Sequence, residues 1–176
     1  MRRILTNVFI VGGDGRNSGK TSMACRIINQ FRESSVSGVK ISPHFHDPSP
    51  GLILIEAGEG YNIFEESNLW SAKDTSRMLQ IGASRVFYLQ ATDAAIERAF
   101  GKIADMIAPG TPIVVESPSL IKYIEPGVFI IMVGSNKPDK NIGELEHYTH
   151  LNCTIDELDR TDHLQFLFSD NEWDLK

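Results

Sequence analysis

The sequence predicts a three-layer α/β domain with a mostly parallel central sheet. Segments rich in β-branched residues alternate with segments of helical period, which is the pattern of a sheet covered by helices. Runs such as Phe129 to Val133 and Pro112 to Glu116 are apolar without alternation, as strands buried on both faces are. The first strand also runs straight into a glycine-rich turn and then a helical stretch. With 176 residues the chain fits one domain over 1–176, large enough to bury a core without disulfides or metal.

In chain order, the β-branched run Ile4 to Val11 is the first strand, and Lys20 to Arg32, with Met23-Ala-Cys-Arg-Ile-Ile, is an amphipathic helix. Val36 to Ser42 and the apolar Leu52 to Glu56 are the next strands, separated by a proline-rich loop over His44 to Gly51. Gly58 to Lys73 reads as a second long loop, and long loops in compact domains tend to be functional. Asp74 to Ile81 is a helix opened by a good capping residue. Arg85 to Gln90, Pro112 to Glu116 and Val128 to Val133 are strands, with a helix over Asp93 to Ile107 and a short turn at Leu120 to Tyr123. From about 136 to 176 the chain is more polar and reads as a C-terminal extension, with a last strand at Leu164 to Phe168 and a loosely held end from Asp170 to Lys176.

Composition narrows the function classes. Hydrophobic residues at 41% and charged residues at 23% are globular values. No apolar run reaches the roughly 18 to 20 residues of a membrane helix, so no membrane is expected as a partner. Thr6 and Asn7 interrupt the apolar stretch that follows Arg2 and Arg3, which argues against a signal peptide and for a cytoplasmic protein. The net charge is -6 with no basic cluster, so nucleic acid is not expected as a partner. Cys25 and Cys153 lack metal or redox spacing and read as reduced thiols.

The chemistry-bearing segment is Val8 to Ser22. An apolar strand leads to Gly12, Gly13, Gly15, Asn17, Ser18 and Gly19, and Lys20, Thr21 and Ser22 open the helix. Glycines let backbone N–H groups converge on phosphate oxygens and the helix N-terminus adds its dipole. Lys20 is placed for the β and γ phosphates, and the Thr21 hydroxyl for Mg²⁺. This is the P-loop order, which makes a Mg²⁺-bound nucleoside triphosphate, GTP or ATP, the expected ligand. The first glycine of the commonest spacing is replaced by Asp14, and Gly13 stands six residues before Gly19 instead.

Gly13 to Thr21 therefore fits the spacing G-x5-G-K-T, and in this the chain resembles the dethiobiotin synthetase-like branch of P-loop proteins. Ser71 to Ala83 resembles a more specific segment, the G-K-D-S/T-x-R-x-x-x-A-G-A of the molybdopterin-guanine dinucleotide biosynthesis adaptor family. It matches at Lys73, Asp74, Thr75, Arg77, Gly82 and Ala83, with Ala72 for the leading glycine and Ile81 for the first alanine. That family also carries a lysine and histidines after its second strand, as Lys40, His44 and His46 stand here, and an apolar strand ending V-E-G, where this chain has Val115-Glu116-Ser117.

The similarity covers residues from about 4 to 135 in discrete blocks. It implies a GTP- or ATP-binding protein, commonly a homodimer, weakly hydrolysing and linked to molybdenum-cofactor maturation. Ser117-Pro118 and the loop rewritten around Pro43 depart from the family and point to another protein client or small-molecule acceptor. Lys20, Lys40 and Asp74 are the catalytic candidates. Strand ends present carboxylates to the phosphate edge, so the metal candidates beside Thr21 are Glu116, favoured by the resemblance, and Glu56, with Asp47 a further alternative.

After the Val128 to Val133 strand, Asn136-Lys137-Pro138-Asp139 resembles the guanine-reading N-K-x-D motif of GTPases, whose aspartate accepts hydrogen bonds that adenine does not offer. An exposed turn built by Pro138 and Asn141 is the alternative. Three functions follow: a GTP-favouring adaptor with low NTPase activity, an ATP-dependent kinase or ligase of dethiobiotin synthetase type with Lys40 and His44 near an acceptor, and a non-catalytic nucleotide-responsive interaction module.

Overall fold

The computed structural model describes residues 2–13, 17–134, 142–158 and 165–176. The chain runs β1 (Arg3–Gly13), α1 (Lys20–Gln30), β2 (Ser37–Ser42), β3 (Leu52–Gly58), β4 (Tyr61–Glu66), α2 (Asp74–Gln80), β5 (Arg85–Ala91), α3 (Ile96–Met106), β6 (Ile113–Glu116) and β7 (Ile124–Val133). It ends with α4 (Ile142–Leu145), β8 (Leu151–Thr154), α5 (Ile155–Leu158), β9 (Phe166–Ser169) and β10 (Glu172–Leu175).

Eight strands form the central sheet in the order β3-β4-β5-β2-β6-β1-β7-β8. All neighbours from β5 to β8 pair in parallel, while β4 is antiparallel to both β3 and β5. Side chains of β1 alternate between two cores. Val8 and Ile10 meet Phe87, Leu89 and the α3 residues Phe100 and Ile103. Phe9 and Val11 meet Met23, Ile27 and Ile28 of α1 and Met78 of α2. Helices therefore cover both faces, which accounts for the apolar runs without alternation.

The structure corrects the sequence reading in four places. The stretch read as one long loop from Gly58 contains β4, which folds back on β3 as a hairpin. β3 is consequently an outer edge: Ile53, Leu54 and Ile55 are exposed, although their run reads as a buried strand. β7 begins at Ile124 rather than Val128, because it pairs with Arg3 to Leu5 across an irregularity at Pro126-Gly127 that breaks the apolar pattern. The end from Asp170 is not loose. β9 and β10 form a two-stranded hairpin whose Trp173 is buried against Phe9, Phe31 and Phe168, with its indole N–H donating to the Asn7 carbonyl at 2.9 Å.

Parallel pairing sets the site. β2, β6 and β1 are neighbours, with Lys40 opposite Glu116 and Glu116 opposite Val11. Their C-terminal ends open on one edge of the sheet, and α1 starts there.

Candidate functional site

The edge above β1, β6 and β2 carries a cleft of about 610 Å³ lined by residues 17–22 and by Lys40, His44, Asp74, Glu116 and Ile155. β1 stops at Gly13, where a Cβ would stand 2.7 Å from the Met132 carbonyl and 2.9 Å from the Ser18 hydroxyl, so no larger residue fits without movement. Asn17 and Gly19 both have left-handed backbone, φ 64° and 91°, and this bends the chain sharply into α1. α1 has Gly19 at its cap position, which has no side chain to close it. Its first-turn N–H groups have no partner inside the helix and lie at the cleft, at the positive end of the helix dipole. Ser18 is buried and accepts a hydrogen bond from the Lys20 ammonium at 2.9 Å.

Glu116 joins the parts. The strand period turns Val115 to the α3 core and Glu116 to the α1 side. Its Oε2 accepts from the Thr21 hydroxyl at 2.8 Å, and its Oε1 accepts from the Lys40 ammonium at 2.8 Å. Lys40 also pairs with Asp74, the first residue of α2. Asp74 therefore does not cap its helix: Lys73 occupies the cap position, no side chain closes it, and the Asp74 carboxylate turns to Lys40 and, at 3.9 Å, to Arg77. A carboxylate in the first helical turn still matches the dipole.

Electrostatics follow from this chain of contacts. Burial works against the Lys40 ammonium, but Glu116 and Asp74 outweigh it and hold its pKa above the ordinary lysine value. Cys25, on the same side of α1, is pushed up to about 11, chiefly by burial, with Glu116 and Asp74 adding to it against Arg77. It is a protonated thiol with weak reactivity. Cys25 and Cys153 are both free.

Of the site residues read from sequence, the structure brings Asn17, Ser18, Gly19, Lys20, Thr21, Ser22, Lys40, Asp74 and Glu116 into one cleft, with Gly13 behind the turn. His44 and His46 stand on its rim with ring centroids 5.9 Å apart. Their loop is pinned at two points: the His44 N–H donates to the Ser42 hydroxyl, and buried Gln90 donates to the His46 carbonyl at 2.7 Å. Asp47 lies in an adjoining cavity of about 240 Å³ that shares Lys40, His46 and Asp74. Glu56 is not in the cleft. Its strand is the far edge of the sheet, and its carboxylate pairs with Lys102 of α3 at 2.8 Å and accepts from Tyr61 at 2.7 Å. Gly15, Asn136, Lys137 and Asp139 lie outside the described residues.

Two features had no counterpart in the sequence reading. Ser117, which replaces a glycine of the resembled family, accepts from the N–H groups of Ser119 and Leu120 at 3.2 Å each and so holds the bend that leads into the 3-10 turn Leu120–Lys122. Ile155 reaches the cleft from the end of β8, a short strand that its own residues scarcely announce.

A hydroxyl and a carboxylate side by side at Thr21 and Glu116 are hard oxygen donors of the kind Mg²⁺ takes in small number beside phosphate and water. The residues present fit that ion. Among the described residues no cluster of three or more His, Cys, Asp or Glu could hold a metal by itself, as a site completed by a ligand's phosphates does not require one. The chain matches no protein-family model, no curated protein and no solved structure.

Proposed function

We propose that the chain is a P-loop protein that binds a Mg²⁺-nucleoside triphosphate, GTP in preference to ATP, hydrolyses it slowly and serves as an adaptor similar to the molybdopterin-guanine dinucleotide biosynthesis family. The observation that carries this reading is the contact chain Thr21–Glu116–Lys40–Asp74 set at the mouth of α1, beside Lys20 and a turn that only small or left-handed residues can make.

In this reading the N–H groups of the turn and of the first turn of α1 bind the β and γ phosphate oxygens, and Lys20 adds a charge-assisted contact. Thr21 and Glu116 would hold Mg²⁺, which would supply positive charge to offset that of the β and γ phosphates. Lys40, fixed from two sides, presents positive charge on the γ-phosphate side. Both carboxylates near it already accept from Lys40, so water activation is left to histidines on an exposed rim, which suits slow hydrolysis.

The base preference rests on Asp139. Wild type is expected to bind GTP at least about tenfold tighter than ATP. Asp139→Asn should collapse that ratio and favour XTP relative to GTP, since xanthine carries a carbonyl where guanine has an amino group. Competition titrations read both. An ATP preference in wild type would instead favour the ATP-dependent kinase or ligase, with the acceptor beside Lys40 and the histidines.

In this reading the homodimer implied by the resemblance forms along β3. Among the described residues no strand pairs with its outer side, and antiparallel pairing with a second copy about a two-fold axis would set Ile53, Leu54 and Ile55 of both beside one another. Leu69 and Trp70, the latter 93% exposed, extend the apolar area from a loop tied to Gly51 by the Ser67 N–H at 2.9 Å.

A further inference from the structure

The described residues that line the cleft almost all carry polar side chains. Glycine apart, its described lining consists of hydroxyl, amide, imidazole, carboxylate, ammonium and guanidinium side chains, with one aliphatic exception, Ile155. Ile155 is 45% exposed, and it stands next to the turn: a Cβ placed on Gly19 would be 3.5 Å from its Cγ1 and 3.2 Å from the Met132 methyl. Lys40, His44 and Asp74 belong to β2 and α2, whereas Ile155 follows β8, four strands away from β2 in the sheet order. The cleft thus has a charged end and an apolar end, with the phosphate turn between them.

A nucleoside triphosphate has the same division. Its phosphates need N–H groups and cations, and its base has flat faces that gain by leaving water against carbon. We propose that Ile155 forms the wall against which the nucleobase packs, placing the base at the β7–β8 end of the cleft and the γ-phosphate toward Lys40. The assignment rests on the nucleotide reading above, and it concerns residues other than the Asn136 to Asp139 segment.

The wall is held in place by its own neighbours. Glu157 accepts from the Thr154 N–H at 2.7 Å and from the Thr154 hydroxyl at 3.0 Å, closing the entry to α5, and Arg26 of α1 donates to the Leu158 carbonyl at its exit. Parallel pairing of Thr154 with Val133 fixes its height on the sheet. Ile155 is therefore exposed on a braced segment, which is what a preorganised contact requires. An aliphatic wall does not read hydrogen-bonding edges, so it serves guanine and adenine alike and leaves their discrimination to other groups.

The test compares Mg²⁺-GTPγS with Mg²⁺-tripolyphosphate, which offers the phosphates without base or ribose, on the full chain by isothermal titration. Ile155→Ala is expected to weaken the nucleotide about tenfold, since it removes methyl and methylene groups from the contact, and to leave tripolyphosphate unchanged. Ile155→Leu should restore nucleotide affinity to within about threefold of wild type, and it guards against a merely unfolded Ala variant, as do melting curves. Lys20→Ala should weaken both ligands. Equal nucleotide affinity in Ile155→Ala, or equal loss for both ligands in a folded variant, overturns the assignment. If wild type binds tripolyphosphate and nucleotide equally well, the base has no wall and the assignment is again overturned. If wild type binds neither, the nucleotide reading itself fails, an outcome distinct from the other two.

Discussion

Lys40 on β2 and Glu116 on β6 face each other in register and are joined by a 2.8 Å ion pair that lies at the inner end of the cleft. Glu116 is almost wholly buried, so its charge depends on this partner and on the Thr21 hydroxyl. Lys40→Met should leave that carboxylate poorly compensated and lower stability by about 2 kcal/mol, less than for a fully buried pair because Lys40 is partly exposed. The pH dependence has a definite sign. With its pKa raised on folding, Lys40 contributes stability that is complete below the ordinary lysine value of 10.5 and is lost as pH rises through the folded value. Urea unfolding at neutral pH and above pH 10.5 measures both effects, and Lys40→Met should lack the alkaline loss.

Glu116→Gln keeps the size of the side chain and two hydrogen-bonding atoms while removing the charge. Mg²⁺-dependent nucleotide binding or turnover should fall at least about tenfold, with a modest change in melting temperature. Glu56→Gln should leave both unchanged, because Glu56 is committed to Lys102 and Tyr61 at the far edge. A loss in Glu56→Gln without one in Glu116→Gln would contradict the placement of the metal.

At β3, a charge in place of an exposed apolar side chain tests the homodimer. Leu54→Lys should convert a dimer to a monomer in light scattering while leaving the melting curve of the monomer intact, since Leu54 is 55% exposed. A wild-type monomer at all concentrations, or a dimer that survives the change, would place the contact elsewhere or nowhere.

Much of this molecule is legible from residue patterns. The parallel strands, α1 and the strand-turn-helix around Gly19 follow from unalternated apolar runs and from glycine spacing, which are local signals. The contacts that give the cleft its character are not local. Asp74 looks like a cap from its neighbours, and only the approach of β2 to α2 reveals Lys40 as its partner. β3 looks buried because its apolar residues are contiguous, yet among the described residues no strand covers its outer side. Trp173 looks like part of a loose end, although Asp170 and Asn171, both with left-handed backbone, are a hairpin-turn pair between two short strands. Ile155 carried no signal in the sequence, since its role depends on where β8 ends.

If the turn before α1 binds nucleotide phosphates, Lys20 is the side chain on which that binding depends most. Isothermal titration of wild type and Lys20→Ala with a non-hydrolysable GTP analogue and Mg²⁺ should show saturable one-site binding that weakens by about 2 kcal/mol or more in the variant, the worth of a charge-assisted contact. Equal affinities in two folded proteins, or no binding by wild type, would show instead that the glycine-rich turn serves the fold alone.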